Sequence, residues 1–242
     1  MALKVFVDFD GTISRSDVGS AFFRSFSGPS CTALIDEYKE GRISAVECFQ
    51  QEADSVGAVN KSDADLFFRA QQIDESFRDF VAYCEQHEVD LLVVSDGLDY
   101  YIHEILEANG IRGVQVLANH AQFVPLDGDS LYGLKVQFPF TDVECTRCAC
   151  CKRNAIVTRS ADKDIIIYVG DGYSDTCPVQ YADIVFAKAQ LQTFCRDANV
   201  SYFPYKSFQD VIVRLEMLER GGRQPRHNRR AELMRRDLFL QE

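Results

Sequence analysis

Hydrophobic and polar positions divide this chain into short apolar runs separated by amphipathic stretches. Residues 3–9 open it with a strand: Leu3 to Val7 is apolar apart from Lys4, and Asp8 follows at once. From about 17 to 88 no convincing strand pattern occurs. Instead SDVGSAFFRSF, SAVECFQQEADSV, KSDADLFFRAQQ and DESFRDFVAYCEQH space apolar residues by three and four, as helices do. Ser16 or Asp17 and Ser44 stand where N-caps belong. A second apolar run over 89–97, VDLLVVSDG, precedes a helix at about 98–109 that Asn109-Gly110 stops. GVQVLAN predicts a strand. HAQFVPLDGDSLYGLKVQFPF predicts a hairpin turning near Asp127-Gly128. A helix is expected from Lys152, then a third core strand over 164–172, DIIIYVGDG. A helix near 175–182, the strand DIVFA and two more helices complete the body.

Strands alternating with helices predict an α/β fold, a doubly wound and mostly parallel sheet. The helical block after the first strand is too long for a simple crossover and is expected to be a separate cap. The expected division is a core over 1–15 and 80–219, a helical cap over 16–79 and a basic C-terminal tail over 220–242. Three apolar strands end in polar residues: Asp8 and Asp10, then Ser95 to Gly97, then Asp171 and Gly172. In parallel sheets ligands bind beyond the carboxyl ends of the strands. If the three run parallel, these residues meet at one edge, beneath the cap.

Charge and composition narrow the function. The 242 residues carry a net charge of -11, yet 220–242 hold seven arginines and three acids, leaving -15 on the body. A body that acidic repels phosphate backbones, so no nucleic-acid partner is expected. The Arg-rich run reads as a solvated end or a short exposed helix. Neither a signal-peptide pattern nor a membrane-spanning run occurs, so a soluble, cytoplasmic protein with no membrane partner is expected. Nine cysteines in a chain large enough to fold without disulfides read as reduced thiols. Oligomeric state leaves no trace in the sequence.

DFDGT at 8–12, VVSDG at 93–97, Lys152 opening a helix and GDGYSD at 170–175 resemble, in order, the four motifs of the haloacid dehalogenase superfamily. A helical block after the first motif resembles the subgroup that contains phosphoserine phosphatase. That resemblance implies a Rossmann-like core, Mg²⁺, an aspartyl-phosphate intermediate and a small phosphorylated metabolite as substrate. It also implies a metal contact from the Asp10 backbone carbonyl. Asp17 lies nine residues past Asp8, where phosphoserine phosphatases carry a substrate-touching Glu; the different type puts amine recognition in doubt.

The residue chemistry runs alongside. Adjacent carboxylates tolerate one another around a hard cation such as Mg²⁺, with Asp8, Asp10 and Asp171 as oxygen donors and Asp175 supporting them through water or hydrogen bonds. Asp8 can attack phosphorus. Asp10 lies on the same strand face and can protonate the leaving oxygen, then deprotonate water. The Ser95 hydroxyl and Gly97 N–H can hold phosphate oxygens, and Lys152 can offset charge. A phosphotransferase, phosphoserine phosphatase proper and a catalytically silent binding module remain alternatives. In CTRCACCK, Cys145, Cys148, Cys150 and Cys151 can bind zinc or pack as small apolar groups. The adjacency of the last two favours packing. Lys152 is expected to lower the pKa of Cys151. Arg42 and Arg69 are cap cations within possible reach of a substrate carboxylate, or surface residues.

Overall fold

Successive side chains of a strand point to opposite sides, and here both sides are covered. Val5 and Val7, Val93, Ile167 and Val169 enter one apolar cluster. Phe6, Leu92, Val94, Ile166 and Tyr168 enter another. Burial on both faces is why these strands are nearly continuous apolar runs.

The computed structural model describes residues 2–27, 31–126, 130–143, 145, 147–220 and 225–239. In chain order the elements are β1 (Leu3–Val7), α1 (Val18–Phe26), α2 (Cys31–Lys39), α3 (Ala45–Ser55), β2 (Val59–Asn60), α4 (Lys61–Arg69), α5 (Phe77–Gln86), β3 (Asp90–Leu98) and α6 (Asp99–Ala108). They continue with β4 (Gln115–Pro125), β5 (Leu131–Gln137), α7 (Lys152–Arg159), β6 (Ile165–Gly170), β7 (Ile184–Ala187), α8 (Ala189–Asp197), β8 (Phe203–Pro204), α9 (Phe208–Arg220) and α10 (Arg229–Phe239). The sheet order is β2-β5-β4-β3-β1-β6-β7-β8. Neighbours from β4 through β8 are parallel, whereas β5 is antiparallel to β4 and β2 to β5. This is the mostly parallel, doubly wound α/β sheet expected from the sequence.

The expected caps form. Asp17 accepts the Ser20 N–H at the start of α1, and Ser44 and Glu47 close a reciprocal capping box on α3. Other elements differ in detail. GVQVLAN and the first hairpin arm join into the single strand β4, and the turn expected at Asp127-Gly128 lies outside the described residues. β2 and β8 have two residues each, too few for a periodic pattern, and exist through pairing with β5 and β7. The helix expected near 175–182 is two short 3₁₀ turns, Ser174–Thr176 and Pro178–Tyr181. Pro178 has no N–H to continue the first turn into the second. The described part of the Arg-rich end docks as α10. Ala231 is buried, Met234 and Leu238 pack on the second cluster, and Arg235 pairs with Asp183 at 3.1 Å. Among the described residues no helix is long and apolar enough to cross a membrane.

Candidate active site

β1 pairs with β3 on one side and β6 on the other, with Val7 level with Val93 and Val169. Strand order therefore reverses at β1, and its carboxyl end opens into the crevice that such reversals create. Asp8, Ser95 and Asp171 emerge there side by side. The chain turns at once after β1: Asp8 Oδ1 accepts the Phe9 N–H at 2.8 Å, and Ser14 N–H reaches the Phe9 carbonyl at 2.9 Å. Gly11 sits at φ +74°, where a Cβ would lie 2.5 Å from Asp171 Oδ2. Only glycine lets this loop press against β6.

One buried ammonium organises the carboxylates. Lys152 is 1% exposed and lies 2.8 Å from each of Asp8 Oδ1, Asp175 Oδ1 and Ser174 Oγ. Burial opposes its charge, but Asp175 and Asp8 outweigh that and hold its pKa well above the usual lysine value. Asp175 also accepts from Tyr168 Oη at 2.6 Å and from the backbone N–H groups of Asp171 and Gly172 at 2.9 and 3.0 Å. Burial pushes the Asp175 carboxyl up, and Lys152 with these donors more than reverses it, so it titrates below the usual carboxylate range. Asp8 goes the other way: burial, then Asp175, raise it well above normal despite Lys152. Asp171, bonded by Thr12 Oγ1 at 2.8 Å, is pushed up to about 6 by burial and Asp175.

Carboxylate oxygens of Asp8, Asp171 and Asp175 lie within 4.8 Å of one another, the described group able to hold a metal ion. Both oxygens of Asp175 are taken by donors, whereas the bonds to Asp8 and Asp171 use Oδ1 and leave Oδ2 at the crevice. The raised values of Asp8 and Asp171 mark a deficit of positive charge that Lys152, with Lys188 near Asp171, does not fill. An all-oxygen donor set with that deficit fits a hard divalent cation.

Asp10 turns its carboxyl away from this trio. Oδ1 accepts the Val18 N–H at 2.8 Å, and Oδ2 accepts a short bond from the Tyr101 hydroxyl. Burial, then Asp17, push Asp10 up to about 7, with Tyr101 pulling it down. Gly97 is required here, since a Cβ would lie 2.7 Å from Asp10 Oδ2. The Gly97 N–H donates to Ser95 Oγ at 2.9 Å. The β3–β4 register slips between Val94 and Leu98, which lifts Ser95 to Gly97 out of the ladder. Asp96 in the same bulge accepts the Cys150 N–H at 2.9 Å and so ties the cysteine run to the site.

These groups floor a cavity of about 910 Å³ roofed by α1, α2 and α3. Asp17 reaches it, although one of its oxygens caps α1. Arg42 and Arg69 are not among its lining residues; Arg42 pairs with Glu40 and Arg69 with Glu104 at 2.8 Å. Tyr101 and Tyr168 lie outside the motifs, and Thr12 and Ser174 lie inside DFDGT and GDGYSD without an expected role, yet each bonds a carboxylate or the lysine of the site. Tyr101 alone left a hint, one turn beyond VVSDG.

Cys148, Cys150 and Cys151 are buried, and burial pushes all three thiols up. The expectation that Lys152 lowers Cys151 is corrected: the ammonium turns toward Asp8 and Asp175, and burial decides. Among the described residues, the group of metal-ligating side chains whose donor atoms lie within 4.8 Å of one another is Asp8, Asp171 and Asp175, and it includes no cysteine of this run. Elemental analysis of purified protein should therefore find well under one zinc per chain. Cys148→Ala should lose about 1–2 kcal/mol in denaturant titration, as small core truncations do. One equivalent of zinc, lost together with folding in that variant, would reverse this.

Solved structures with the same architecture define the fold class of this chain, the haloacid dehalogenase-like fold. A phosphoserine phosphatase bearing a phospho-aspartyl intermediate analogue superposes with a TM-score of 0.60 at 14% identity, over 88% of this chain and 98% of that one. A haloacid dehalogenase-family hydrolase of Salmonella enterica serovar Typhi gives 0.66 at 14% identity, over 86% and 69%. Within that class, the sequence model of the family described as Putative Phosphatase matches residues 3–193, and the chain belongs to that family. It is 28% identical over 220 residues to the 2-hydroxy-3-keto-5-methylthiopentenyl-1-phosphate phosphatase of Geobacillus kaustophilus, covering 90% of this chain and 97% of the relative. Its counterpart in Bacillus cereus strain B4264 is 27% identical over 221 residues, covering 90% and 98%.

Proposed function

We propose that this phosphatase is Mg²⁺-dependent and hydrolyses the phosphate monoester of a small metabolite through an aspartyl-phosphate on Asp8. The observation that carries the reading is the free oxygen of Asp8 at the crevice, with its other oxygen fixed by Lys152 and the Phe9 N–H. Asp8 and Asp171, with the Asp10 backbone carbonyl, would hold Mg²⁺, and Asp175 would fix Lys152 and the loop behind them. When bound, the ion offsets negative charge on the carboxylates and phosphoryl oxygens. Asp8 attacks phosphorus while the bond to the leaving oxygen breaks and Asp10 gives that oxygen its proton. Water then attacks phosphorus, Asp10 takes the water proton, the bond to Asp8 breaks and phosphate leaves. Ser95 and the Gly97 N–H hold phosphoryl oxygens, and Lys152 balances charge. The helical block 16–79 serves as the cap and keeps the substrate small.

The named relatives make the methionine salvage enol phosphate the first candidate substrate. CACCKRNAI and FPYKSF also resemble that enzyme. The test is phosphate release from a panel of phosphorylated metabolites including this one, with Mg²⁺ and after chelation. Release that requires Mg²⁺ is expected; full release after exhaustive chelation, or none from any ester, contradicts the reading.

Asp10 sets the expected pH profile. It acts as an acid only while protonated, so leaving-group protonation should weaken as pH rises through about 7. Asp10→Asn should lose about 10²–10⁴-fold on alkyl phosphates. It should lose less on p-nitrophenyl phosphate, whose leaving group needs no proton, and rapid quench should then find phosphoenzyme accumulating. Normal turnover by this variant would leave Asp10 a structural residue.

A further inference from the structure

The roof of the cavity contains a carboxyl that the proposed chemistry leaves unused. α3 turns Ala45, Cys48 and Glu52 inward at helical spacing, so Glu52 occupies a position that would ordinarily be apolar. It is 6% exposed and lines the cavity with Ala45, Cys48, Phe23 and Phe49. Neither a hydrogen bond nor an ion pair joins its carboxyl to any described residue. A buried carboxyl without a donor is costly, and folding alone gives no reason for one here. Its charged neighbours are Asp17, which adds to the negative field, and Arg24, which opposes it; burial, then Asp17, push it up to about 7. The same cavity holds Asp8 and Asp10 on its floor.

We propose that Glu52 determines specificity for the organic part of the substrate: it accepts a hydrogen bond from a hydroxyl or ammonium there and turns away esters that carry a carboxylate. This rests on the phosphatase reading. A donor group supplies the partner that Glu52 lacks, whereas a carboxylate would add a third negative group beside Glu52 and Asp17. Sites built to hydrogen-bond a substrate discriminate strongly, because the unmatched alternative leaves a buried group unpaired.

The test measures kcat/KM at pH 8 with Mg²⁺ for O-phosphoethanolamine, glycerol 3-phosphate, O-phosphoserine and 3-phosphoglycerate. The first two carry donors without a carboxylate and separate ammonium from hydroxyl. Ratios between substrates do not depend on the fraction of folded enzyme, so an impaired variant still reports. The parent should favour at least one donor ester over both carboxylate esters by about tenfold or more. Glu52→Gln should collapse that ratio, and Glu52→Lys should shift it toward the carboxylate esters. A parent that takes carboxylate esters equally well, or a ratio within about twofold of the parent in both variants, overturns the assignment. Failure to hydrolyse any ester, including p-nitrophenyl phosphate, would instead overturn the phosphatase reading.

Discussion

Asp8→Asn should abolish turnover, by on the order of 10⁴-fold or more, while leaving the protein folded and no less stable. The loss follows from the proposed role of Asp8 as nucleophile, since an amide is neither an adequate nucleophile nor an anionic metal ligand. The stability follows from electrostatics. Asp8 is buried among Asp171 and Asp175, and their repulsion and its burial raise its pKa despite Lys152. Its ionised form therefore costs folding energy, and a neutral side chain of the same shape relieves that cost. Lys152 keeps Asp175 as its partner at 2.8 Å. Thermal melts of the two proteins at pH 7.5 should coincide, or the variant should melt higher. Beryllium fluoride, which mimics an aspartyl-phosphate, should protect the parent against unfolding in the presence of Mg²⁺ and not the variant. Activity like the parent's in pure Asp8→Asn would remove the nucleophile assignment.

Lys152→Met should fail in both respects. The side chain is fully buried and joins Asp8, Asp175 and Ser174. Removing the ammonium strands two buried carboxylates, a change that typically costs about 3–5 kcal/mol. For a chain of this size that corresponds to a fall of about 10 °C or more in Tm. Turnover should fall by about 10²–10³-fold, because on the proposed reading Lys152 balances charge on Asp8 and the phosphoryl group. The sign of a second change checks the cause. Adding Asp8→Asn to Lys152→Met removes one stranded carboxylate and should restore part of the stability without restoring turnover. If the double variant is less stable than Lys152→Met, the two residues are not coupled through charge.

Most of the site was legible because its residues lie at strand ends. Runs such as LKVFV and IIIYV read as strands buried on both faces, and polar residues right after them have only the open edge of a parallel sheet to enter. Asp17 and Ser44 were legible as caps because the cap and its helix adjoin in sequence. The roles of Tyr101 and Thr12 were not, because each acts across the fold. Tyr101 meets Asp10 from 91 residues away and Thr12 meets Asp171 from 159. Local pattern carries no record of those meetings. The two-residue strands β2 and β8 were hidden for the same reason, as tertiary pairing alone defines them. Glu52 lay in a helical pattern where a Glu is ordinarily solvent-facing, and its burial became visible only with α1 and α3 packed over the cavity.

The central claim is that phosphate passes through a covalent bond to Asp8. Enzyme mixed with substrate and Mg²⁺, quenched in acid during turnover and reduced with borohydride, should contain homoserine in place of Asp8 when its peptides are read by mass spectrometry. Asp10→Asn should raise the converted fraction, and Asp8→Asn should contain none. Conversion at another residue, or none at Asp8 in enzyme that is turning over substrate with Asp10→Asn in place, would contradict the account.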